Sequence, residues 1–538
     1  MTDPTKRLRE RAKRAWATKQ LYDPLYQDAY DYILPYRAGG KFRRETDGAS
    51  RVDKIFDGTG PQGAMRFAGQ VQSDVTPPFQ DFILLEPGPA ADPVLKDLGL
   101  DKPSFVKELQ KTRDMVHAVT HSGQFHVASH EMYQDLFIGT GALLTEDSDD
   151  PEEFCLDVAV PVHEIALETD GWGRVSGIYW QRDWKAGEIE ETWQKGNFSE
   201  SLRELMKDKS DTDVPILQAT VYDRAARLWR LTVLDMREKQ SSAPIHTKTY
   251  RTNPWLTPRF WVTPGEAYGR GPGLNALPFI KTLNKAQELN LHAAAFALLG
   301  AWSYRPDGII NPDTIVWSPG AMIPVSSNGG TGMGPTLQKL DIPNRFDLSQ
   351  IVIADQREQA QIAMLDQRLP SDSGAVRSPT EIAERIRTRD QDLGGAYSRL
   401  ALEVLVPLTR RRIDLLHAKG MIANNIPIDQ LLVALKVTSP IARTQRANKV
   451  QPRVDFMQIT GSLLGQASIP LVANVEKMLP QIGRDLGLDE NEIRSEAEQA
   501  VLQQTVDQLA SQKAQMIVAQ MEAQGGVDAQ PAPGALPQ

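Results

Sequence analysis

The chain has little of what usually announces covalent chemistry. Among 538 residues there is one cysteine, Cys155, so no internal disulfide can form and the thiol content suits a reducing compartment. Such a cysteine is expected as a small buried hydrophobe. The sequence has no G-x-x-x-x-G-K-[ST] phosphate loop, no G-x-S-x-G elbow, no complete H-E-x-x-H and no C-x-x-C pair, so P-loop, α/β-hydrolase and zincin chemistry lack support. No stretch approaches the roughly 18 consecutive apolar residues of a membrane helix; the best run, 291–302, is short and contains His292. Lys6, Arg7, Arg9, Arg11, Lys13 and Arg14 are followed by no apolar core, so no secretory signal is expected and the protein is placed in a cytoplasm or in something assembled there. Positive charge is also scarce. Sixty Lys and Arg against 69 Asp and Glu leave a net charge of -9, which argues against a chain that coats itself with nucleic acid or anionic lipid and confines any DNA contact to local patches.

What is present reads as a large folded protein. Length allows several domains, and 39 Gly with 36 Pro are too few for a collagenous or wholly disordered chain. The fold class expected is α+β, mainly α. The first 150 residues read mainly helical, with helical spacing in 7–34, a break at Pro24, and the same look in 105–119 and 125–136. Residues 154–264 change to short β-branched and aromatic runs, at 154–165, 175–184, 216–222, 228–234 and 260–262, around a helical insertion at 187–206. A helix over 275–300 then leads to a Pro- and Gly-punctuated tip with strand-like pieces at 314–317 and 322–325, and a second helix over 347–369 returns from it. After the loop 370–379, Thr380 caps a helix that runs to Gly420, with Ile382, Ile386, Leu393, Tyr397, Leu400, Val404 and Leu408 as its apolar stripe and bends at Gly394-Gly395 and Pro407. A strand at 428–437 and more helix follow, and the Gln-, Ala-, Pro- and Gly-rich end reads as disordered.

Three clusters are candidates for chemistry. Tyr268-Gly269-Arg270-Gly271-Pro272-Gly273 is Gly-rich, but Pro272 removes one N–H that a phosphate cradle needs, so a turn feeding the next helix is the better reading. His117, His121, His126 and His130, with Glu131, place two imidazole pairs at i,i+4 spacing, the arrangement for a zinc or di-metal centre. Against a metal, Ser122-Gly123 separates the pairs, and Gln134 stands where a second zincin His belongs; hydrogen-bonded or solvated histidines are the default. The third is basic: 377–412 holds eight Arg against five acids, ending in Arg410-Arg411-Arg412. It reads as a solvated, ion-paired face or a phosphate-facing one. Lys281 and Lys285 share one helical face.

The order helix, tip, helix, Ser/Gly loop, long bent helix, helical end resembles the portal, or head-to-tail connector, proteins of short-tailed bacteriophages. Local strings carry the resemblance: Ile55-Phe56-Asp57-Gly58-Thr59-Gly60, Thr76-Pro77-Pro78, Asp135-Leu136-Phe137-Ile138-Gly139-Thr140-Gly141, Glu266-Ala267-Tyr268-Gly269-Arg270-Gly271-Pro272 and Arg377-Ser378-Pro379-Thr380-Glu381-Ile382. None is a catalytic signature, so the resemblance implies a protein that is not an enzyme, with no catalytic residue, metal or cofactor. It implies a portal fold with wing, stem, clip and crown: 1–274 wing, 275–301 first stem helix, 302–345 clip, 346–369 second stem helix, 370–379 tunnel loop, 380–439 long wing helix and return strand, 440–525 crown, 526–538 tail. Twelve copies would form a ring at one capsid vertex of the virion, assembled in the host cytoplasm, with double-stranded DNA passing along the axis in packaging and ejection.

Carried onto this sequence, Ser371, Asp372, Ser373, Gly374 and Arg377 become the tunnel loop, and Lys281 and Lys285 stem residues facing the channel. Trp317, Met322, Asn328 and Lys339 become clip residues that dock terminase and tail adaptor. The implied partners are other copies of the chain, the terminase large subunit, capsid and scaffolding proteins, the tail adaptor and internal core proteins, with no membrane. A conduit must not grip a polyanion, since every fixed phosphate contact resists motion, and an acidic chain with a few basic belts suits sliding. The alternatives are a metal-dependent hydrolase built on the four histidines and a helical scaffold or adaptor without a channel.

Overall fold

A computed structural model describes residues 4–37, 50–97, 102–148, 150, 152–238, 243–299, 301–304, 337–340, 346–366, 395–422 and 433–437, and scattered positions between 450 and 516. The chain divides into two units, Met1–Ser439 and Pro440–Gln538. In the second, the described residues, 453–460 among them, are helical.

The first unit mixes helix and strand. Helices α1 (Pro4–Gln20) and α2 (Asp23–Tyr32) divide at Leu21-Tyr22, and Pro24 lies in the first turn of α2 instead of breaking a longer helix. A proline is tolerated there because the first N–H groups of a helix have no intrahelical partner. α3 (Thr59–Val75), β1 (Ile83–Pro87), α4 (Ala91–Asp97), α5 (Lys102–Ser122) and α6 (Phe125–Ile138) follow. The gap between α5 and α6 is the Ser122-Gly123 break seen in the sequence.

Next come β2 (Leu143–Asp147), β3 (Cys155–Ala159), β4 (Ile165–Thr169), β5 (Val175–Lys185), β6 (Asp213–Asp223), β7 (Leu228–Asp235), β8 (His246–Tyr250) and β9 (Trp255–Leu256). The run expected at 154–165 is two strands, because Pro161 interrupts it ahead of a 3-10 turn. Residues 260–262 form an isolated bridge, Trp261 with Arg270, and no strand. The helical insertion is a pair, α7 (Ala186–Thr192) and α8 (Glu200–Asp208).

β4 to β8 form a five-stranded antiparallel meander in chain order. Its two faces follow the period of two. Tyr179, Leu217, Ala219 and Val221 meet Ala12 and Ala15 of α1 on one side, while Val214, Ile216, Leu231 and Val233 meet Ile189, Leu202 and Met206 of α7 and α8 on the other. Under α1 the fully buried Lys19 is solvated by main chain: its ammonium donates to the carbonyls of Ile165 (2.8 Å) and Val162 and lies over the rings of Trp16 and Tyr268. A separate sheet has the order β3-β2-β9, and β1 pairs with β12 (Val433–Val437), which occupies the end of the strand expected at 428–437.

The third long element is α9 (Pro272–Leu299), about 42 Å at 1.5 Å per residue. It leads into β10 (Ala301–Tyr304), which pairs antiparallel with β11 (Leu337–Leu340), and α10 (Phe346–Ala363) returns along α9. Strand-like pieces at 314–317 and 322–325 lie outside the described residues. Of the helix expected from Thr380, residues 395–418 are helical, with Gly395 inside it and α11 (Val406–Ala418) as its last part. Leu400, Val404 and Leu408 are buried in the main core of this same unit; Ile382, Ile386 and Leu393 are outside the described residues. Pro407 leaves its mark as a π-helical segment at Ala401–Leu405, where the Val406 N–H reaches Ala401. A proline has no N–H for the carbonyl of Glu403, four residues back, so the ladder shifts by one.

Of the basic run, 377–394 lie outside the described residues, Arg410 is exposed and Arg399 pairs with Glu403 (3.3 Å) as an ion-paired face would; among the described arginines, Arg411 and Arg412 depart from both readings. Neither is solvated or available to phosphate. Arg412 is fully buried against Asp157 and the Cys155 thiol, and Arg411 donates to the Thr145 carbonyl and stacks 5.0 Å from the Tyr250 ring. Cys155 is buried as expected, but beside a guanidinium instead of in a purely apolar setting. Burial still dominates and pushes its thiol up to about 11, so it stays protonated and unreactive at neutral pH.

The Gly-rich element is a docking joint. Gly271 N–H donates to the Ile138 carbonyl (2.8 Å), Gly269 N–H to the Thr140 hydroxyl (2.8 Å), and Phe260 N–H to the Gly139 carbonyl (2.9 Å). A Cβ on Gly271 would overlap the Phe137 carbonyl, and one on Gly269 the Gly139 carbonyl. Two main chains touch here because neither has a side chain to hold them apart. Gly271→Ala is therefore expected to cost about 3 kcal/mol or more, read as a large fall in melting temperature or loss of soluble protein. Gly171→Ala, with open space around it, should melt like the parent.

Candidate functional site

The pair α9 and α10 is held at its base by one loop. In Phe56-Asp57-Gly58-Thr59 the two N–H groups of Phe56 and Asp57 donate to Asn284 Oδ1 of α9, at 2.8 and 3.0 Å. The Asp57 carboxylate faces two ways. Its Oδ1 accepts the Thr59 N–H (3.0 Å) at the start of α3, and its Oδ2 accepts Arg357 Nε and Nη2 of α10, at 2.9 and 2.7 Å. Asn284 is itself fixed, donating through Nδ2 to the Ile280 carbonyl (2.9 Å). Burial pushes the Asp57 carboxyl up, yet the hydrogen bonds from Thr59 and Arg357 outweigh this and hold it below the usual range. Asp57 thus stays ionised and ties three helices together.

A second carboxylate fixes the wall behind them. Asp135, fully buried in α6, accepts the Tyr30 hydroxyl (3.0 Å) and Arg37 Nε and Nη2 (3.0 and 2.8 Å), while Arg37 Nη1 reaches Glu131 (3.1 Å). Neither Asp57 nor Asp135 stands out by spacing. The signal for both was their place in the strings at 55–60 and 135–141, each a carboxylate followed by Gly-rich chain.

The candidates from sequence fall into three groups. Lys281 and Lys285 lie exposed on α9, and both are answered by acid: Lys281 Nζ is 2.7 Å from Asp28 of α2 and lies over the Tyr32 ring, and Lys285 Nζ is 2.9 Å from Glu288. The hydrogen bond to Asp28 raises the Lys281 ammonium above its ordinary value. Lys339 sits on β11 opposite Trp302 of β10. Trp317, Met322 and Asn328, and the loop residues Ser371, Asp372, Ser373, Gly374 and Arg377, lie outside the described residues.

The four histidines do not build a metal centre. Among the described residues no group of three or more His, Cys, Asp or Glu could hold a metal ion. The rings of His117, His121 and His126 instead stack in a row, with centroids 5.8 and 5.0 Å apart, and His121 Nδ1 meets His126 Nε2 at 2.8 Å. His130 turns away to Gln72 Oε1 (3.0 Å), and His117 Nε2 accepts the Phe82 N–H (3.3 Å). Two facing ring nitrogens share one proton, so the row is a hydrogen-bonded packing element between α5 and α6. Burial drives His117 and His126 down to about 4, and His163, buried beside Lys19 and Arg37, to about 3.

With fold and site in view, comparison with known proteins decides the family. The family described as bacteriophage head to tail connecting protein matches residues 5–493. This chain belongs to that family. A probable portal protein of Bordetella phage BPP-1 is 24% identical over 477 residues, covering 82% of this chain and 80% of the relative. Among solved structures, a chain from the neck of an empty gene transfer agent particle is 13% identical with a TM-score of 0.33, over 86% of this chain and 99% of its own. One from the neck of a native particle is 14% identical with a TM-score of 0.34, over the same shares. Overlaps this loose add nothing to the family match. The geometry of the four histidines does not support a metal hydrolase built on them, and none of the described helices is long and apolar enough to cross a membrane.

The histidine row, together with the separately buried His163, gives the connector a pH dependence. His117, His126 and His163 are neutral when folded and bind protons near 6.5 when unfolded. Between about 6.5 and about 4 the unfolded chain therefore holds more protons, so stability is complete above 6.5 and lost as pH falls through that window. The melting temperature should fall steadily from pH 7 to pH 4.5, and His126→Gln should flatten part of that fall. A melting temperature constant over this range would contradict the assignment.

Proposed function

We propose that copies of this chain form the portal ring at one capsid vertex, a passive channel for double-stranded DNA. Packaging force would come from a separate terminase. The observation that carries the reading, beside the family, is the surface of α9 and α10. Leu289 and Leu291 on α9, and Ile351, Val352 and Ile362 on α10, are about half exposed or more in the single chain. Apolar side chains at this density on a paired-helix stalk need a cover. A repeated head-to-tail contact that closes by rotation supplies it, and such closure makes a ring.

In this reading α9 and α10 are the stem, 302–345 the clip with Trp317, Met322, Asn328 and Lys339 toward terminase and adaptor, and 370–379 the tunnel loop. The body around the five-stranded sheet, with the helix of 380–419, is the wing, and 440–525 the crown. Capsid, scaffolding, tail adaptor and internal core proteins are the further partners, in the virion and, during assembly, in the host cytoplasm. The paired state of Lys281 and Lys285 fits a wall over which DNA slides. Their ammonium groups are already answered by Asp28 and Glu288, so a passing phosphate gains little by stopping.

Light scattering on the purified protein should give a particle of about twelve times 59.7 kDa. The double variant Ile351→Asp/Ile362→Asp, altered only at exposed positions, should stay folded and fail to assemble. If it assembled normally, the stem would not be the contact. Shortening Ser371 to Val376 should leave rings intact while heads package or retain DNA poorly. Fully infectious particles with the shortened loop would remove the role given to it.

A further inference from the structure

The outer face of α1 carries four cations that form no ion pair among the described residues. Its inward cations are used: Arg9 donates to the Asp235 carbonyl (2.9 Å), Arg11 pairs with Glu168 (3.0 Å), and Lys19 is buried. The other four, Lys6, Arg7, Lys13 and Arg14, are exposed on the opposite side with one acid, Glu10, among them. Among the described residues none of the four forms an ion pair. At 3.6 residues per turn they fall within an arc of roughly 120°, and the pair at 6–7 recurs at 13–14, about 10.5 Å further along the axis.

We propose that this face binds the phosphate backbone of duplex DNA, outside any channel. The repeat of about 10.5 Å is close to three base-pair rises of roughly 3.4 Å each, so a helix lying along a duplex can meet phosphates with both pairs. Other polyanions fit less well. A membrane-bound helix needs a free apolar face, and here Leu8, Ala12, Ala15 and Trp16 are committed to the five-stranded sheet. An acidic protein partner would be expected to find a cluster of aromatic or aliphatic anchors, and besides its charges the outer face exposes Ala17, Thr18 and Gln20, with the single aliphatic Leu21 just past its end. In a chain of net charge -9 such a face makes the contact local, salt-sensitive and indifferent to sequence. The inference does not rest on the ring, because the face belongs to each copy.

The test uses the full chain and a covalently closed circular plasmid, which cannot thread a ring. Four phosphate contacts predict a log–log salt slope of about -3.6, hence a loss of affinity on the order of 10²-fold between 50 and 200 mM salt. The variant Lys6→Ala/Arg7→Ala/Lys13→Ala/Arg14→Ala should bind at least tenfold more weakly at 50 mM and show a much flatter slope. Removing the same charge at the exposed Lys195, Arg203, Lys207 and Lys209 should change neither. Unchanged plasmid binding by the α1 variant, or equal loss in the control, overturns the proposal. So does equally tight, α1-dependent binding to phosphatidylserine vesicles or to polyglutamate, which would make the face a membrane or acidic-protein site. A chain that stays monomeric yet binds the plasmid through α1 removes the ring and keeps this inference.

Discussion

The arrangement of the molecule depends on one close approach of main chain to main chain. Gly139 and Gly141 follow α6, Gly269 and Gly271 precede α9, and the two segments touch without a side chain between them. Hydrogen bonds from Gly271 to Ile138, from Phe260 to Gly139 and from Gly141 to Pro258 fix the register. The direction in which α9 leaves the body is set there, at its first turn. Burial of Ala276, Leu277, Ile280 and Leu283 then holds the first half of α9 in that direction. A helix of about 42 Å magnifies a small error at its root, so the joint is made of the least adjustable material available, backbone on backbone.

The Asp57 loop completes what the glycines begin. A buried carboxylate is costly unless its lone pairs are occupied, and the groups that occupy those of Asp57 come from α3 and α10, while Asn284 of α9 takes the loop's own N–H groups. The same bonds that make the charge tolerable bring the bases of three helices together. Charge-assisted bonds are directional, so this clamp fixes angle as well as distance. A hydrophobic contact in its place would hold the helices near one another and let them roll.

Much of this was legible in the sequence, and the parts that were not share a cause. The helices at 102–122 and 125–138 show in apolar spacing because they bury apolar residues in this chain's own core, and the one at 272–299 shows in its length and its small residues. β8, His246–Tyr250, escaped notice because an edge strand reading His-Thr-Lys-Thr-Tyr buries only its last residue. The glycine strings were visible as resemblance, but a glycine says only that a side chain is unwelcome; which backbone comes close depends on a segment 130 residues away. Arg411 and Arg412 misled for the opposite reason. A run of three arginines looks solvated until Asp157, Thr145 and Tyr250, all distant in sequence, are folded around it. The histidines had a metal's spacing and lacked its geometry, since stacking the rings turns their nitrogens toward one another.

Charge placement separates the two ways this protein is proposed to meet DNA. Attraction for a polyanion grows with the number of cations left unpaired, not with the number present. On α9 the lysines are already matched, Lys281 by Asp28 and Lys285 by Glu288, so a surface that looks basic in sequence offers shallow wells. On α1 the inward cations are matched and, among the described residues, the outward four form no ion pair, which is why that face is the one proposed to hold phosphate. Lysine and arginine content alone would rank the two helices by count. Pairing ranks them by grip, with the weak grip on the helix proposed to line the channel and the strong one on a helix packed on the body of the subunit.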